Sequence, residues 1–313
     1  MTGSGWTKLL FAALLVIACG ASEQHENSSR PLVVANEPAV RYSMLVSTEW
    51  LSERLGADEL VILHVSARRD GYDREHIPAA RYVGWDQITE SDGGIANELP
   101  PVEKLTLLVR GLGIDRNSRV VIYDEGNGIM AARAYLTLDY LGLGENSALL
   151  DGQLVVWKAE GRPLSDITPE VQLSAFQPEV NSNIVAGMDE VQQIVGGGDT
   201  PLLDCRPPDQ FSGEAPGGDI GRGGHIPGAF NLPVIRSLAG PDNPKLLEID
   251  ELRALYSQAG FSGDMPVVSY CRTGRSASLS YFVLKYLGYD ARLYDGSFSQ
   301  WQGVEENPVE TGQ

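Results

Sequence analysis

One short segment of this chain combines residue types that can do chemistry: Cys271-Arg272-Thr273-Gly274-Arg275-Ser276. It follows an apolar run at residues 267–270 and precedes a helical pattern over residues 277–287. A loop that leads from a buried strand into a helix turns several backbone N–H groups toward one small concavity, and the helix N-terminus adds partial positive charge. A cysteine at the floor of such a cradle is favoured as the thiolate, the nucleophilic form of the side chain. Gly274 admits a backbone conformation that other residues resist, while Arg272 and Arg275 place cations at the rim. The same N–H groups would hold the terminal sulfur of a persulfide built on Cys271. A cysteine that only filled the core would not normally be followed within five residues by two arginines, a glycine and a serine.

The elements that must position this loop occur twice, with a period of about 140 residues, the size of a duplicated domain rather than of a solenoid repeat. An apolar strand-like run comes first, at residues 60–65 and 201–205. A His-Ile-Pro turn follows, at His76-Ile77-Pro78 and His225-Ile226-Pro227. Next comes a buried strand with a loop and a helix: residues 120–123 before Asp124, and residues 267–270 before Cys271. An Asp-Gly turn with a nearby tryptophan closes each copy, Asp151-Gly152 with Trp157 and Asp295-Gly296 with Trp301. Continuous Val, Ile and Leu runs describe strands covered on both faces, as in a parallel sheet. Helical patterns at residues 102–112 and 131–141, then 188–195, 249–259 and 277–287, alternate with them and predict an α/β fold in each half. Residues 165–183 lack a period, contain Pro169 and Pro178, and read as a linker. The expected organisation is thus a first domain over 41–164 and a second over 184–313.

The chain has 313 residues, enough for two domains, and a formal net charge of −18. That acidity argues against nucleic acid or an anionic membrane surface as the main partner. Cys19, Cys205 and Cys271 are the only cysteines, and no pair has metal-ligand spacing, so neither a disulfide framework nor a structural metal site is expected. Lys8 and an apolar run of ten residues at 9–18 read as an export signal over residues 1–18, too short to span a bilayer. Val16-Ile17-Ala18-Cys19 resembles the lipobox of bacterial lipoproteins, which would make Cys19 the lipid-bearing residue at the start of a polar tether over 19–40. The expected location is the cell envelope, membrane-anchored through that lipid or periplasmic.

The repeated landmarks resemble those of two-domain rhodaneses, which are thiosulfate or mercaptopyruvate sulfurtransferases, over residues 41–308. The resemblance implies two tandem rhodanese-like domains, each a parallel sheet flanked by helices, with the active site in the second domain facing the interface. It implies no cofactor. Cys271 would take sulfur from a small anionic donor such as thiosulfate and pass it to cyanide or a thiol. Phosphatases related by fold carry one more residue in the equivalent loop, whereas the six residues 271–276 match the sulfurtransferase form. Asp124 stands in the first domain where Cys271 stands in the second, so that half should be catalytically silent and form one wall of the pocket.

The family places a substrate-binding arginine at Arg206, with a salt bridge to Asp204 or Asp209 as the alternative role. Substrate contacts are therefore expected from Arg206, Arg272, Thr273, Gly274, Arg275 and Ser276. Mercaptopyruvate enzymes resemble Cys-Gly-Ser-Gly in this loop, carry a second arginine where Gln210 stands, and use a Ser-His-Asp group in which His64 here would replace the aspartate. Those departures favour thiosulfate, although Thr273 also replaces the lysine usual in two-domain thiosulfate enzymes. His76 and His225 read as turn residues rather than catalysts, and Trp157 and Trp301 as core. Cys205 is either a buried bystander or a resolving thiol for Cys271. Besides a mercaptopyruvate enzyme, the competing class is a lipoprotein that uses a degenerate copy of the scaffold only to bind.

Overall fold

In the computed structural model the described residues are Met1, 38–218, 220–261 and 266–312. The export signal, Cys19 and the tether as far as residue 37 lie outside them, Met1 aside. The strands of the first half are β1 (Leu45–Val46), β2 (Leu60–Ser66), β3 (Ala80–Gly84), the hairpin β4 (Glu90–Asp92) and β5 (Ile95–Glu98), β6 (Arg119–Asp124) and β7 (Ser147–Leu150). Those of the second half are β8 (Val185–Ala186), β9 (Leu202–Asp204), β10 (Phe230–Asn231), the hairpin β11 (Leu238–Gly240) and β12 (Asn243–Leu246), β13 (Pro266–Tyr270) and β14 (Asp290–Tyr294). Each half holds a five-stranded sheet in which every pairing is parallel, in the orders β3-β2-β6-β7-β1 and β10-β9-β13-β14-β8. The two orders are the same topology read twice, as the repeated landmarks require.

The central strands are apolar because helices cover both their faces. Val120, Val121 and Ile122 of β6 and Val267 and Val268 of β13 are buried. β6 leads through Asp124 into the helix Ile129–Tyr140, and β13 leads through Cys271 into the helix Ala277–Tyr286. These two helices pack against each other, with Tyr135 edge-on to Phe282 at 4.9 Å between ring centroids. One core cluster runs through both halves and includes Leu136 and Leu138 with Leu279, Phe282 and Val283. The helices that follow the two loops therefore also build the interface, which brings both loops to the junction of the halves.

The His-Ile-Pro turns are tied to the strands that precede the loops. The Tyr123 hydroxyl accepts from the Ile77 N–H at 3.0 Å, and the Tyr270 hydroxyl accepts from the Ile226 N–H at 3.1 Å. His76 stacks on Tyr72 with its Nδ1 2.7 Å from the Tyr72 carbonyl, and His225 stacks on Phe211 with its Nδ1 2.9 Å from the Phe211 carbonyl. Residues 165–183 run along the first half rather than free of it. Ser165 exchanges two backbone bonds with His76, the Asn181 N–H reaches the Tyr140 carbonyl, and Phe176 is buried.

His64 of β2 is sealed in the core of the first half, with Nδ1 3.0 Å from the Tyr123 hydroxyl. Burial, with a smaller contribution from His76, lowers its pKa from 6.5 to about 4. Glu125 lies 3.3 Å from Nε2, but its side chain is 45% exposed and does not offset the burial. The folded chain thus binds this proton more weakly than the unfolded chain, and stability should fall as pH drops from 6.5 toward 4. His64→Asn should flatten that decline by about 3 kcal/mol, read from urea-unfolding midpoints across this pH window.

Candidate active site

Cys271 is buried at the C-terminal end of β13, 2% exposed. Its N–H and that of Gly274 both reach the Ser297 Oγ, at 3.3 and 2.9 Å, while the Ser297 hydroxyl donates to the Tyr294 carbonyl at 2.8 Å. The carbonyls of Cys271 and Arg272 turn the other way and accept from the N–H groups of Phe298 and Ser299, each at 3.0 Å. These two carbonyls of the loop are thereby spent on the helix Ser297–Gly303. Gly274 is required here: its φ is +72°, and a Cβ on it would lie 2.8 Å from both the carbonyl and the Oδ1 of Asp295. Ser276 opens the helix Ala277–Tyr286 without capping it through its side chain.

The first half shows what such a loop holds. The Asp124 Oδ1 accepts from the N–H groups of Gly126 and Gly128 at 2.8 and 3.1 Å, and Oδ2 accepts from Met130 and Ala131 at 3.0 and 3.2 Å. Burial pushes this carboxyl up, and the four N–H bonds pull the other way. The side chain of Asp124 thus occupies its own loop as a built-in acceptor for the N–H groups. Both loops reach a left-handed glycine, Gly128 at φ +83° and Gly274 at +72°, but the first takes one more residue to do so.

The structure gathers the expected site residues unequally. Thr273 accepts through Oγ1 from Asn97 Nδ2 of the first half at 2.8 Å. Arg272 is exposed, its guanidinium against Gly218. Arg275 is also exposed, but it lies over the Trp85 ring at 5.3 Å and lines a cavity of about 280 Å³ with Arg68, Arg74, Asp124 and Glu125 of the first half. A cavity of about 760 Å³ elsewhere, against Pro208, Phe211 and Phe230, contains none of the loop residues. Cys205 sits beside Cys271, since β9 and β13 pair Asp204 with Tyr270 and the Cys205 N–H donates to the Tyr270 carbonyl at 2.9 Å. Burial pushes the Cys205 thiol well up, and its Sγ points to the Leu203 carbonyl at 3.6 Å, the arrangement of a protonated bystander.

Of the two roles expected for Arg206, the structure shows the salt bridge with Asp204. Its Nε and Nη2 contact both carboxylate oxygens of Asp204 at 2.6–3.1 Å, Nη2 also donates to the Gly224 carbonyl at 2.7 Å, and the guanidinium stacks on Phe298 at 4.1 Å. Only Nη1 lacks a partner, and the side chain is 2% exposed. Its charge is spent on Asp204 two residues away. Three residues that position the loop were not singled out for it: Asn97, Arg133 and Ser297. The Asp-Gly turns marked two of the places, because each turn receives a backbone N–H from the hairpin of the other half. Leu99 N–H donates to Asp295 Oδ2 at 2.6 Å, and Leu246 N–H to Asp151 Oδ1 at 3.0 Å.

Arg206→Met should therefore cost stability, because it leaves the Asp204 carboxylate buried without its cation. The expected loss in urea unfolding is about 3–5 kcal/mol, larger than any change in donor KM.

Comparison with known proteins adds the ancestry. The model of the rhodanese-like domain matches twice, over residues 47–160 and 187–303. A Synechococcus elongatus protein named "Putative thiosulfate sulfurtransferase" is 34% identical over 90% of this chain and 88% of its own length. The Thermus thermophilus protein named "Sulfur carrier protein TtuD" is 33% identical over 86% of this chain and 97% of its own. The crystal structure of SseA from Escherichia coli, described with 3-mercaptopyruvate sulfotransferases, superposes with a TM-score of 0.72 at 27% identity, covering 82% of this chain and 98% of that one. The fold, the doubled landmarks and these matches agree that the chain belongs to the rhodanese family, with two rhodanese-like domains in tandem.

Proposed function

We propose that the chain is a sulfurtransferase that takes sulfane sulfur from thiosulfate onto Cys271 and delivers it to cyanide or a thiol. What supports this reading is the pair of loops: four N–H groups bond the Asp124 carboxyl in the first half, and the equivalent strand-to-helix loop of the second half, with its own left-handed glycine, has a thiol at its base. The Cys271 thiolate attacks the outer sulfur of thiosulfate, and the S–S bond breaks with its electron pair leaving on sulfite. The terminal sulfur of the resulting persulfide carries the negative charge that the cradle stabilises. An acceptor thiolate or cyanide then takes that sulfur as a persulfide or as thiocyanate, and the thiolate is restored on Cys271.

Mercaptopyruvate is the second reading, favoured by the likeness to SseA. Its proton-moving group is not assembled in this chain. The Thr273 hydroxyl meets Asn97, and both ring nitrogens of His76 face carbonyls, those of Tyr72 and Ile167. With Arg206 committed to Asp204, the exposed cations of the loop are Arg272 and Arg275, which suit a small dianion held mainly by backbone N–H groups. Lipidation of Cys19 and an envelope location are part of the same proposal, supported by Val16-Ile17-Ala18-Cys19 after the apolar run. Expressed with its leader in a bacterium, the chain should partition with membranes, and Cys19→Ala should block processing; soluble protein cut elsewhere would refute the anchor.

Sulfur transfer to cyanide by the purified protein, run with each donor, tests the assignment. The kcat/KM for thiosulfate should exceed that for mercaptopyruvate by at least about tenfold, on the order of 1.4 kcal/mol of transition-state discrimination. Cys271→Ser should fold and transfer no sulfur with either donor. Substantial transfer by that variant would remove the second domain from the chemistry.

A further inference from the structure

Besides the Leu99 N–H on Asp295, three side-chain contacts cross from the first half to the Cys271 loop and its supporting turn. Asn97 reaches Thr273, Trp85 lies under Arg275, and Arg133 of the helix Ile129–Tyr140 forks onto Asp295. The last is the buried one. Arg133 has no exposed side-chain surface, its Nη1 and Nη2 lie 2.6 and 3.2 Å from the two Asp295 oxygens, and Nη2 also donates to the Asn97 carbonyl at 2.6 Å. Asp295 opens the turn whose Ser297 hydroxyl receives the N–H groups of Cys271 and Gly274, and its carboxylate stands against Gly274 itself. It is thus a negative charge built into the wall of a site that must hold a negative sulfur.

The pseudo-symmetric turn lacks this arrangement. Asp151 receives the Leu246 N–H, with Lys245 as its nearby cation, and burial pushes its carboxyl up. The fold can therefore close an Asp-Gly turn without a buried arginine, and a buried ion pair is weak evidence of stability in its own right. We infer that Arg133, supplied by the non-catalytic half, is a positioning residue for the reaction: it neutralises Asp295 and fixes the Asp295–Ser297 turn so that the Cys271 loop can accept an anionic sulfur. The other charged and titratable groups around Cys271 are the mutually paired Asp204 and Arg206, Cys205, Tyr270 and the loop's own Arg272 and Arg275. The Asp204–Arg206 pair offsets itself, so Arg133 is the cation set against Asp295.

The inference rests on Cys271 as the reacting thiol, and its test does not require sulfur transfer. The pH profile of Cys271 alkylation by iodoacetamide is measured on the full chain, with the Cys271 peptide followed by mass spectrometry. Arg133→Met should raise the pH midpoint by about one unit, because it leaves Asp295 unpaired beside the thiolate. Asp295→Asn should shift the midpoint the other way, and the double variant should return it to the parent value. Two single variants that both leave the midpoint in place while lowering the urea-unfolding midpoint would reduce Arg133 to a structural residue and overturn the proposal. If Arg133→Met does not fold, Asp295→Asn decides alone, and an unmoved midpoint there overturns it equally. A protein that alkylates as described but transfers no sulfur would instead count against the proposed reaction.

Discussion

A strand that passes straight into a helix leaves N–H groups converging on one point, and a buried convergence of that kind calls for a negative charge. Each half has one strand-to-helix loop of this kind, at Asp124 and at Cys271. In the first half the chain answers from within, with the carboxylate of Asp124 taking four N–H groups. In the second half the residue at the same place is Cys271, the thiol on which the proposed sulfur transfer would run. The two halves thus differ at one place in the fold, where the first carries a carboxyl and the second a thiol.

The remaining architecture keeps the second convergence intact. The helices that supply the converging N–H groups also form the core between the halves, so neither loop can shift without disturbing packing such as that of Tyr135 on Phe282. The carbonyls of Cys271 and Arg272 are committed to the helix Ser297–Gly303, and Gly274 takes the left-handed turn that a side chain would block. Arg206 belongs to this scaffolding, since its guanidinium ties Asp204 to the Gly224 carbonyl and to Phe298.

How much of this was legible in the sequence depended on how far apart the partners lie. The doubled strand-loop-helix pattern and the Cys271 segment are local, and apolar runs beside glycine and arginine revealed them directly. The topology repeats exactly as often as its landmarks do. For Arg206 the sequence left two roles open, substrate contact or a salt bridge, because residue type gives a cation while geometry decides its partner, and here Asp204 lies close enough to claim it. Arg133 gave no signal at all: its partner, Asp295, is 162 positions away, and nothing local marks a helix arginine that faces another domain. The Asp-Gly turns were visible as a repeat, but their use as acceptors for the opposite hairpin depends on the pairing of the halves.

That exchange has a consequence for how the molecule comes apart. The hairpin β4–β5 of the first half caps the turn at Asp295, and β11–β12 of the second half caps the turn at Asp151. Each half thus holds the other's closing segment, like two hands each gripping the opposite wrist. Opening either grip leaves a carboxylate oxygen without its donor in one half and a backbone N–H without its acceptor in the other, so partial unfolding is penalised on both sides of the interface. The two copies are in this way mutually dependent: the half that carries Asp124 closes a turn of the half that carries Cys271, and is closed by it in return.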